Sequence, residues 1–247
     1  DKLYDQPYKY ITQYAKEIRY GKEGPKYTSF ETIQEITSRF IGYEIVEHHL
    51  DYCIIKEITE PSVREFDSSL RRVFLLLQQM AEGIMDSIKK ENPLIVRNTE
   101  DIDLNVDRFQ DYCIRVLNKT SIMHSKKAKV LFTILYFLEL IGDEFRSIAN
   151  HIIYDMKGKK LSNLVQIGEM VAEQFNRFYE IFYRFDTKKI VEISQTYLNV
   201  LFYLPKLYKK KGKKNFLNDQ ELEISNHFRR ISKHISSLLE LKIQLEV

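Results

Sequence analysis

Two pairs of carboxylates have the spacing that would bring acidic side chains together on neighbouring helices. Glu139 and Asp143 lie four residues apart, and so do Asp103 and Asp107. Residues four apart project from the same side of an α-helix, so each pair would present two carboxylates on one helix face. If the two faces meet, four like charges converge, and such a cluster requires a cation or shared protons. Oxygen ligands of this kind suit iron, manganese, magnesium or calcium more than a structural zinc site.

The Glu139/Asp143 pair lies in a stretch that recurs later in the chain. Its apolar residues follow steps of three and four over 137–152, which indicates one buried face of a helix. The letters FRSIANHI at Phe145–Ile152 return as FRRISKHI at Phe228–Ile235, an offset of 83 residues. This near-identity in the same helical phase predicts an internal duplication.

The second copy lacks the carboxylates of the Glu139/Asp143 pair. Leu222 and Asn226 stand at the equivalent positions, so a metal site is expected in the first copy alone. Histidines, in contrast, occupy equivalent positions in both copies, as His151 and His234. Two interpretations of these histidines stay open: helix-end residues inherited by duplication, and ligands or proton-linked switches.

Helical periodicity dominates from Pro61 to the end of the chain. The predicted helices span about 61–91, 100–118, 124–156, 161–184, 187–210 and 218–246. The inner face of the second helix is predicted to include Leu104. Because these helices form two consecutive up-down-up triplets, the sequence predicts a mainly α fold of two tandem three-helix bundles. The predicted repeats are 61–158 and 159–247.

The first sixty residues have a different pattern and are predicted to form a small α+β unit, 1–60. Amphipathic helices are predicted over 8–20 and 30–41, the second ended by Gly42, and a β-hairpin follows over 43–58. His48 and His49 are adjacent, so on a strand they point to opposite faces. That geometry favours a solvated turn over a pair of metal ligands.

The composition argues against several classes of protein. A net charge of +3 over 247 residues is too small to imply nucleic-acid binding by itself. The longest apolar runs are short and interrupted by charge, so no transmembrane helix is expected. Cys53 and Cys113 do not form a metal-binding pattern, and no nucleophile triad, P-loop or dinucleotide fingerprint is present. The sequence motifs therefore give no sign of a nucleophilic enzyme or of a nucleotide-binding site.

The strongest charge run falls between the fifth and sixth predicted helices. It consists of Lys206, Lys209, Lys210, Lys211, Lys213 and Lys214. One interpretation is a solvated loop whose lysines also complement the dipole at the end of the fifth helix. The other is a contact for nucleic acid, acidic lipid headgroups or an acidic partner. The fourth and fifth helices are also rich in aromatic residues, and an exposed aromatic strip there would mark a dimer or partner surface.

The two acidic motifs together resemble a known family. Glu139-Leu-Ile-Gly-Asp143, followed by Ile148-Ala149-Asn150, resembles the helix signature of the PhoU family of phosphate-uptake regulators. Asp103-Leu-Asn-Val-Asp107 is similar to the other acidic motif of that family, whose architecture is a duplicated three-helix bundle. The resemblance covers 61–247. Phe40–Val46 is similar to a segment that precedes the bundle in archaeal members, which often carry an AbrB-like DNA-binding domain at the N-terminus; no such domain is recognisable in this sequence.

The resemblance implies a cytoplasmic regulator without chemistry of its own. Such proteins restrain high-affinity phosphate transport through a phosphate transporter and a signalling partner. Some members bind multinuclear iron or zinc clusters, which implies iron, zinc or another divalent metal at Asp103, Asp107, Glu139 and Asp143. We also expect a homodimer, DNA contact through an upstream or N-terminal domain, and peripheral contact with a membrane.

Two alternatives to a PhoU-like regulator stay open. One is a structural helical adaptor in which the acidic motifs are solvated and hold no metal. The other is a carboxylate-bridged metalloenzyme, which is disfavoured because di-iron bundles use Glu-x-x-His pairs. Gly142 stands where a histidine partner of Glu139 would be required.

Overall fold

The structure is a computed structural model that describes residues 29–49, 52–119, 126–155, 161–208 and 217–246. The chain divides into two compact units, Asp1–Glu65 and Phe66–Val247. The helix predicted over 8–20 lies outside the described residues.

The described part of the first unit is a helix followed by a β-hairpin, as predicted. Its elements are α1 (Ser29–Ser38), β1 (Tyr43–His48) and β2 (Cys53–Glu57). The two strands are antiparallel, with Tyr43 opposite Glu57 and His48 opposite Cys53. The register shifts between Ile45 and Glu47, which leaves Val46 as a bulge residue that is 41% exposed.

Gly42 forms the connection between α1 and β1. Its φ is +88°, in the left-handed region that residues with a Cβ rarely adopt. A Cβ at this position would also lie 2.8 Å from the carbonyl oxygen of Thr59. Both facts require glycine, and they explain why the helix ends before this residue.

The part of the chain after the hairpin has two helical triplets, as predicted. The helices are α2 (Val63–Lys90), α3 (Thr99–Lys119), α4 (Lys126–Asn150), α5 (Val165–Tyr183), α6 (Thr187–Tyr208) and α7 (Asp219–Glu246). Short 3₁₀ turns occupy Pro93–Val96 and Ser162–Leu164. The third predicted helix changes character near its end, because α4 is followed by a π-helical turn at His151–Asp155. None of the described helices is both long enough and apolar enough to cross a membrane.

Burial follows the predicted inner face on α2 and most of it on α3. The whole predicted inner stripe of α2 is buried: Leu70, Val73, Phe74, Leu77, Met80, Ala81, Ile84, Met85 and Ile88. The prediction for Leu104 is wrong, because this side chain is 37% exposed. Its neighbour Asp103 is 3% exposed and lies on the inner face instead. The buried Val106 and Gln110 follow Asp103 at helical spacing, so Asp103 shares the inner face of α3. The predicted inner residues Cys113, Val116 and Leu117 are buried as well.

The third helices of the two triplets, α4 and α7, pack against each other through equivalent positions. Glu144 contacts His227, which is its own counterpart at the duplication offset of 83. A second contact joins Phe137 and His234, whose ring centroids are 5.6 Å apart. Phe137 precedes Glu144 by seven residues, whereas His234 follows His227 by seven. This reversed pairing means that the helices cross antiparallel. A self-complementary contact of this kind is what two copies related by a two-fold axis make.

Close packing at Gly168 on α5 gives a first prediction. A Cβ there would lie 2.5 Å from Met85 Sδ on α2 and 3.0 Å from Phe228 Cζ on α7. We expect Gly168→Ala to lower the free energy of unfolding by about 1–3 kcal/mol, because the extra methyl overpacks a filled core. Gly83→Ala is the matched control, since a Cβ at Gly83 meets nothing within 4 Å, and it should raise stability by up to ~1 kcal/mol through helix propensity. Urea unfolding measures both, and equal effects of the two substitutions would contradict the prediction.

Candidate functional site

The two predicted acidic faces meet between α3 and α4. Asp103 on α3 accepts a hydrogen bond from Arg146 on α4, with Nη1 and Oδ2 2.7 Å apart. A second hydrogen bond joins the side chains of Gln110 on α3 and Glu139 on α4. Gln110 follows Asp103 by seven residues, whereas Glu139 precedes Arg146 by seven. The helices are therefore antiparallel. Asp107 and Asp143 lie between these two contacts, and the four predicted residues form one group, which we call the carboxylate cluster.

Arg146 joins the two helices within the carboxylate cluster. Its Nη1 binds Asp103, and its Nη2 binds Asp143 Oδ1 at 2.6 Å. Asp143 and Arg146 are three apart on α4, so they lie on one helix face. The arginine side chain is 41% exposed, whereas that of Asp103 is 4% exposed. The guanidinium therefore covers a buried carboxylate and leaves its own outer edge in solvent.

Burial and crowding make Asp103 hard to ionise. Burial raises its pKa, the positive charge and hydrogen bond of Arg146 lower it, and Asp107 and Asp143 raise it again, with a net value of about 6. Because this folded-state pKa lies above the ordinary value of 3.8, Asp103 favours folding most below pH 3.8. That contribution is lost as the pH rises through about 6.

The pKa of Glu139 is raised as well. Burial raises its pKa first, followed by the charges of Asp143 and Asp107. The hydrogen bond from Gln110 and the charge of Arg146 act in the opposite direction. The charges of Asp107 and Asp143 therefore raise the pKa of both Asp103 and Glu139, and Arg146 is the cation that lowers the pKa of both.

Gly142 allows the helices to come this close. A Cβ at Gly142 would lie 3.2 Å from Asp103 Oδ1 and 3.3 Å from Leu77 Cδ2. Contacts this short are tighter than ordinary van der Waals distances, so a side chain here would push Asp103 away from α4. The sequence pattern marked Gly142 only as a missing histidine and did not reveal this packing role.

In the structure, an arginine occupies the position between the carboxylates where the predicted divalent metal would bind. The predicted ligands lie together, but a guanidinium already holds oxygens of Asp103 and Asp143. Across the described ranges, no group of three or more His, Cys, Asp or Glu side chains has the geometry to hold a metal ion. The metal site at these four residues stays a prediction, and it would require Arg146 to leave its position.

A second ionic group lies where α4 crosses α7. Glu144 Oε2 is 2.5 Å from His227 Nδ1, and Glu144 Oε1 accepts a hydrogen bond from Arg230 Nε at 2.7 Å. The side chains of Glu144 and His227 are 17% and 11% exposed. Sequence reasoning missed this group because its members come from different copies. The signal that could have found it is the duplication offset itself, which pairs position 144 with position 227.

The two equivalent histidines have different partners. His151 Nδ1 lies 2.6 Å from Asp155 Oδ2, at the exposed end of the π-helical turn. His234 is half-buried beside Phe137, and its pKa is lowered by burial, with the nearby Glu144 opposing that shift. The duplication has kept the residue type and changed its surroundings.

The predicted basic run lies outside the described residues: this holds for Lys209, Lys210, Lys211, Lys213 and Lys214, and for the side chain of Lys206.

The helix before the basic run, α6, carries an exposed apolar stripe. Val191, Leu198 and Phe202 on α6 are 68%, 42% and 68% exposed, at spacings of seven and four. Residues at these spacings share one helix face. By contrast, Phe175 and Phe178 on α5 are fully buried.

Comparison with known proteins agrees with this architecture. No protein-family model and no curated protein matches the sequence. Solved structures that share the fold include two PhoU proteins. PhoU from Pseudomonas aeruginosa has a TM-score of 0.62 and 18% identity, over 74% of this chain and 96% of that one. The phosphate transport system regulatory protein PhoU from Streptococcus pneumoniae has a TM-score of 0.65 and 17% identity, over 74% and 94%. The helical part of this chain therefore has the fold of PhoU proteins.

Proposed function

We propose that this protein is a PhoU-like regulator of phosphate transport that acts by binding a protein partner and not by catalysis. The observation that carries the proposal is the fold, which covers nearly the full length of both PhoU structures. One of these is named as a regulatory protein of a phosphate transport system. The partner in this proposal is a phosphate transporter or a signalling protein associated with one.

The chemistry of the described residues supports a binding role. In the strongest candidate for a reactive centre, the carboxylate cluster, two of the four carboxylates are already held in ion pairs with Arg146. Cys113 is fully buried, and burial raises its pKa to about 12, so its thiol is not a reactive thiolate. The exposed stripe of α6 is a surface that a protein partner could cover.

Deletion of the gene tests the proposal. In phosphate-rich medium, we expect the deletion strain to take up radiolabelled phosphate faster than the parent strain, and to return to the parental rate when the gene is restored on a plasmid. Unchanged uptake together with unchanged transporter transcripts would rule out the proposal and favour a structural adaptor.

Restoration with surface variants makes the same experiment more specific. Leu198→Ser with Phe202→Ser removes two exposed apolar groups from α6, and Phe132→Ser with Tyr136→Ser removes two from α4, where they are 48% and 51% exposed. Circular dichroism checks that both variants are folded. If only the α6 variant fails to restore the parental rate of phosphate uptake, the partner binds at α6. Light scattering of the native protein tests the homodimer that forms part of the same proposal, and binding of labelled DNA tests direct transcriptional control.

A further inference from the structure

The carboxylate cluster contains its own cation. The charges of Asp107 and Asp143 raise the pKa of both Asp103 and Glu139, because each additional negative charge in such a site costs free energy. Arg146 lowers the pKa of both Asp103 and Glu139, although these two residues come from opposite ends of the cluster. Its charge is permanent, because a guanidinium does not lose its proton in proteins.

Arg146 bridges one carboxylate of α3 and one carboxylate of α4. One nitrogen of its planar fork binds a carboxylate of α3 at 2.7 Å, and the other binds a carboxylate of α4 at 2.6 Å. A metal ion that joined these helices through Asp103 and Asp143 would bind two carboxylates that the guanidinium already binds. The two cations would also repel each other at this distance, so they compete for the same two carboxylates.

We propose that Arg146 replaces a metal ion in the carboxylate cluster, so that the native protein holds α3 and α4 together without a bound divalent cation. Removing the arginine charge would then turn the cluster into a cation site, because Asp103 and Asp143 would both lose the guanidinium that binds them. This inference is independent of the proposed role in phosphate transport.

The duplication supplies a matched control for this proposal. Arg229 is the counterpart of Arg146 at the offset of 83, but it is exposed and stands three residues after Asn226 instead of an aspartate. Arg146→Gln and Arg229→Gln thus remove the same charge from equivalent helix positions, with and without the carboxylates.

The test uses the purified full chain at pH 8, where protons compete least for the cluster. Each protein is treated with chelator, incubated with MnCl₂ and desalted, and the retained manganese and the Tm are measured. We expect the native protein and Arg229→Gln to retain no manganese and to keep their Tm when it is added. Arg146→Gln should melt about 2–4 °C lower, retain manganese, and recover its Tm with the metal. Asp143→Asn added to Arg146→Gln should abolish that retention.

Three results would overturn the proposal. Manganese retained by the native protein and lost in Asp103→Asn would show that the metal and the arginine coexist, and this result does not depend on the folding of any Arg146 variant. An Arg146→Gln protein that behaves like Arg229→Gln would show that the ion pairs have no such role. An Arg146→Gln protein that is destabilised and retains no manganese would show an ordinary ion pair only.

Discussion

Replacing Phe74 by alanine is expected to lower the free energy of unfolding by about 3–5 kcal/mol. Phe74 is completely buried on α2, and its ring lies 5.0–6.1 Å, centroid to centroid, from five aromatic rings of α5. These rings belong to Phe175, Phe178, Tyr179, Phe182 and Tyr183. Truncation would remove both the burial of the ring and its aromatic contacts, and it would leave a cavity between the first and the second triplet.

Urea unfolding followed by circular dichroism measures this effect. Phe74→Leu is the graded variant, and it should lose less stability than alanine because it refills part of the cavity. Phe132→Ala on α4 is the control, since this ring is 48% exposed and its removal should change stability by less than about 0.5 kcal/mol. If Phe74→Ala were no more destabilising than Phe132→Ala, the two triplets would not share the aromatic core that the structure shows.

Glu144→Gln is expected to destabilise the protein by about 1.5–3 kcal/mol at neutral pH, the range for hydrogen bonds to charged groups. The carboxylate accepts hydrogen bonds from His227 and Arg230 at the crossing of α4 and α7. An amide retains one acceptor oxygen but loses the charge, so Arg230 and His227 would compete for that oxygen. Thermal unfolding of the variant and the native protein at pH 7 provides the comparison.

The same substitution predicts a definite dependence on pH. Burial raises the pKa of Glu144, but the hydrogen bonds from His227 and Arg230 and their charges outweigh it, and the net pKa is below the ordinary 4.5. A group with a lowered folded-state pKa stabilises the protein above its unfolded-state value, and that contribution is lost as the pH falls through the folded-state value. The stability advantage of the native protein over Glu144→Gln should therefore be present at neutral pH and be lost as the pH falls below the ordinary value of 4.5. A difference that persists unchanged to pH 2 would show that the charge of Glu144 has no part in it.

The helices themselves were predictable from local patterns. Apolar steps of three and four residues fixed the six long helices to within a few residues at their described ends, and Gly42 marked the end of α1. The inner stripe of α2 was predicted completely because its apolar residues are uninterrupted at helical spacing. Leu104 on α3 was assigned to the inner face because it is apolar, but the neighbouring Asp103 is buried instead. A hydrophobic pattern does not reveal a buried aspartate, because the ion pair that holds Asp103 is made with another helix.

The candidate site was predictable only in part, for a related reason. Spacing of four residues showed that Asp103 and Asp107 share one face and that Glu139 and Asp143 share another. Whether the faces meet depends on the pairing of α3 with α4, which the structure decides. Arg146 was not recognised, because an arginine three residues after an aspartate is common on exposed helix surfaces. Its partner Asp103 lies 43 residues earlier.

The sequence by itself determined the helices, the internal duplication and the restriction of the carboxylates to the first copy. These features rest on short-range periodicity and on the repetition of residue types, which remain visible along a single chain. Only the tertiary structure decided which charges meet. It placed Arg146 between the carboxylates and Glu144 against its own counterpart His227. The physical reason is that electrostatic pairing depends on distances of a few ångströms between helices, and helix packing sets those distances.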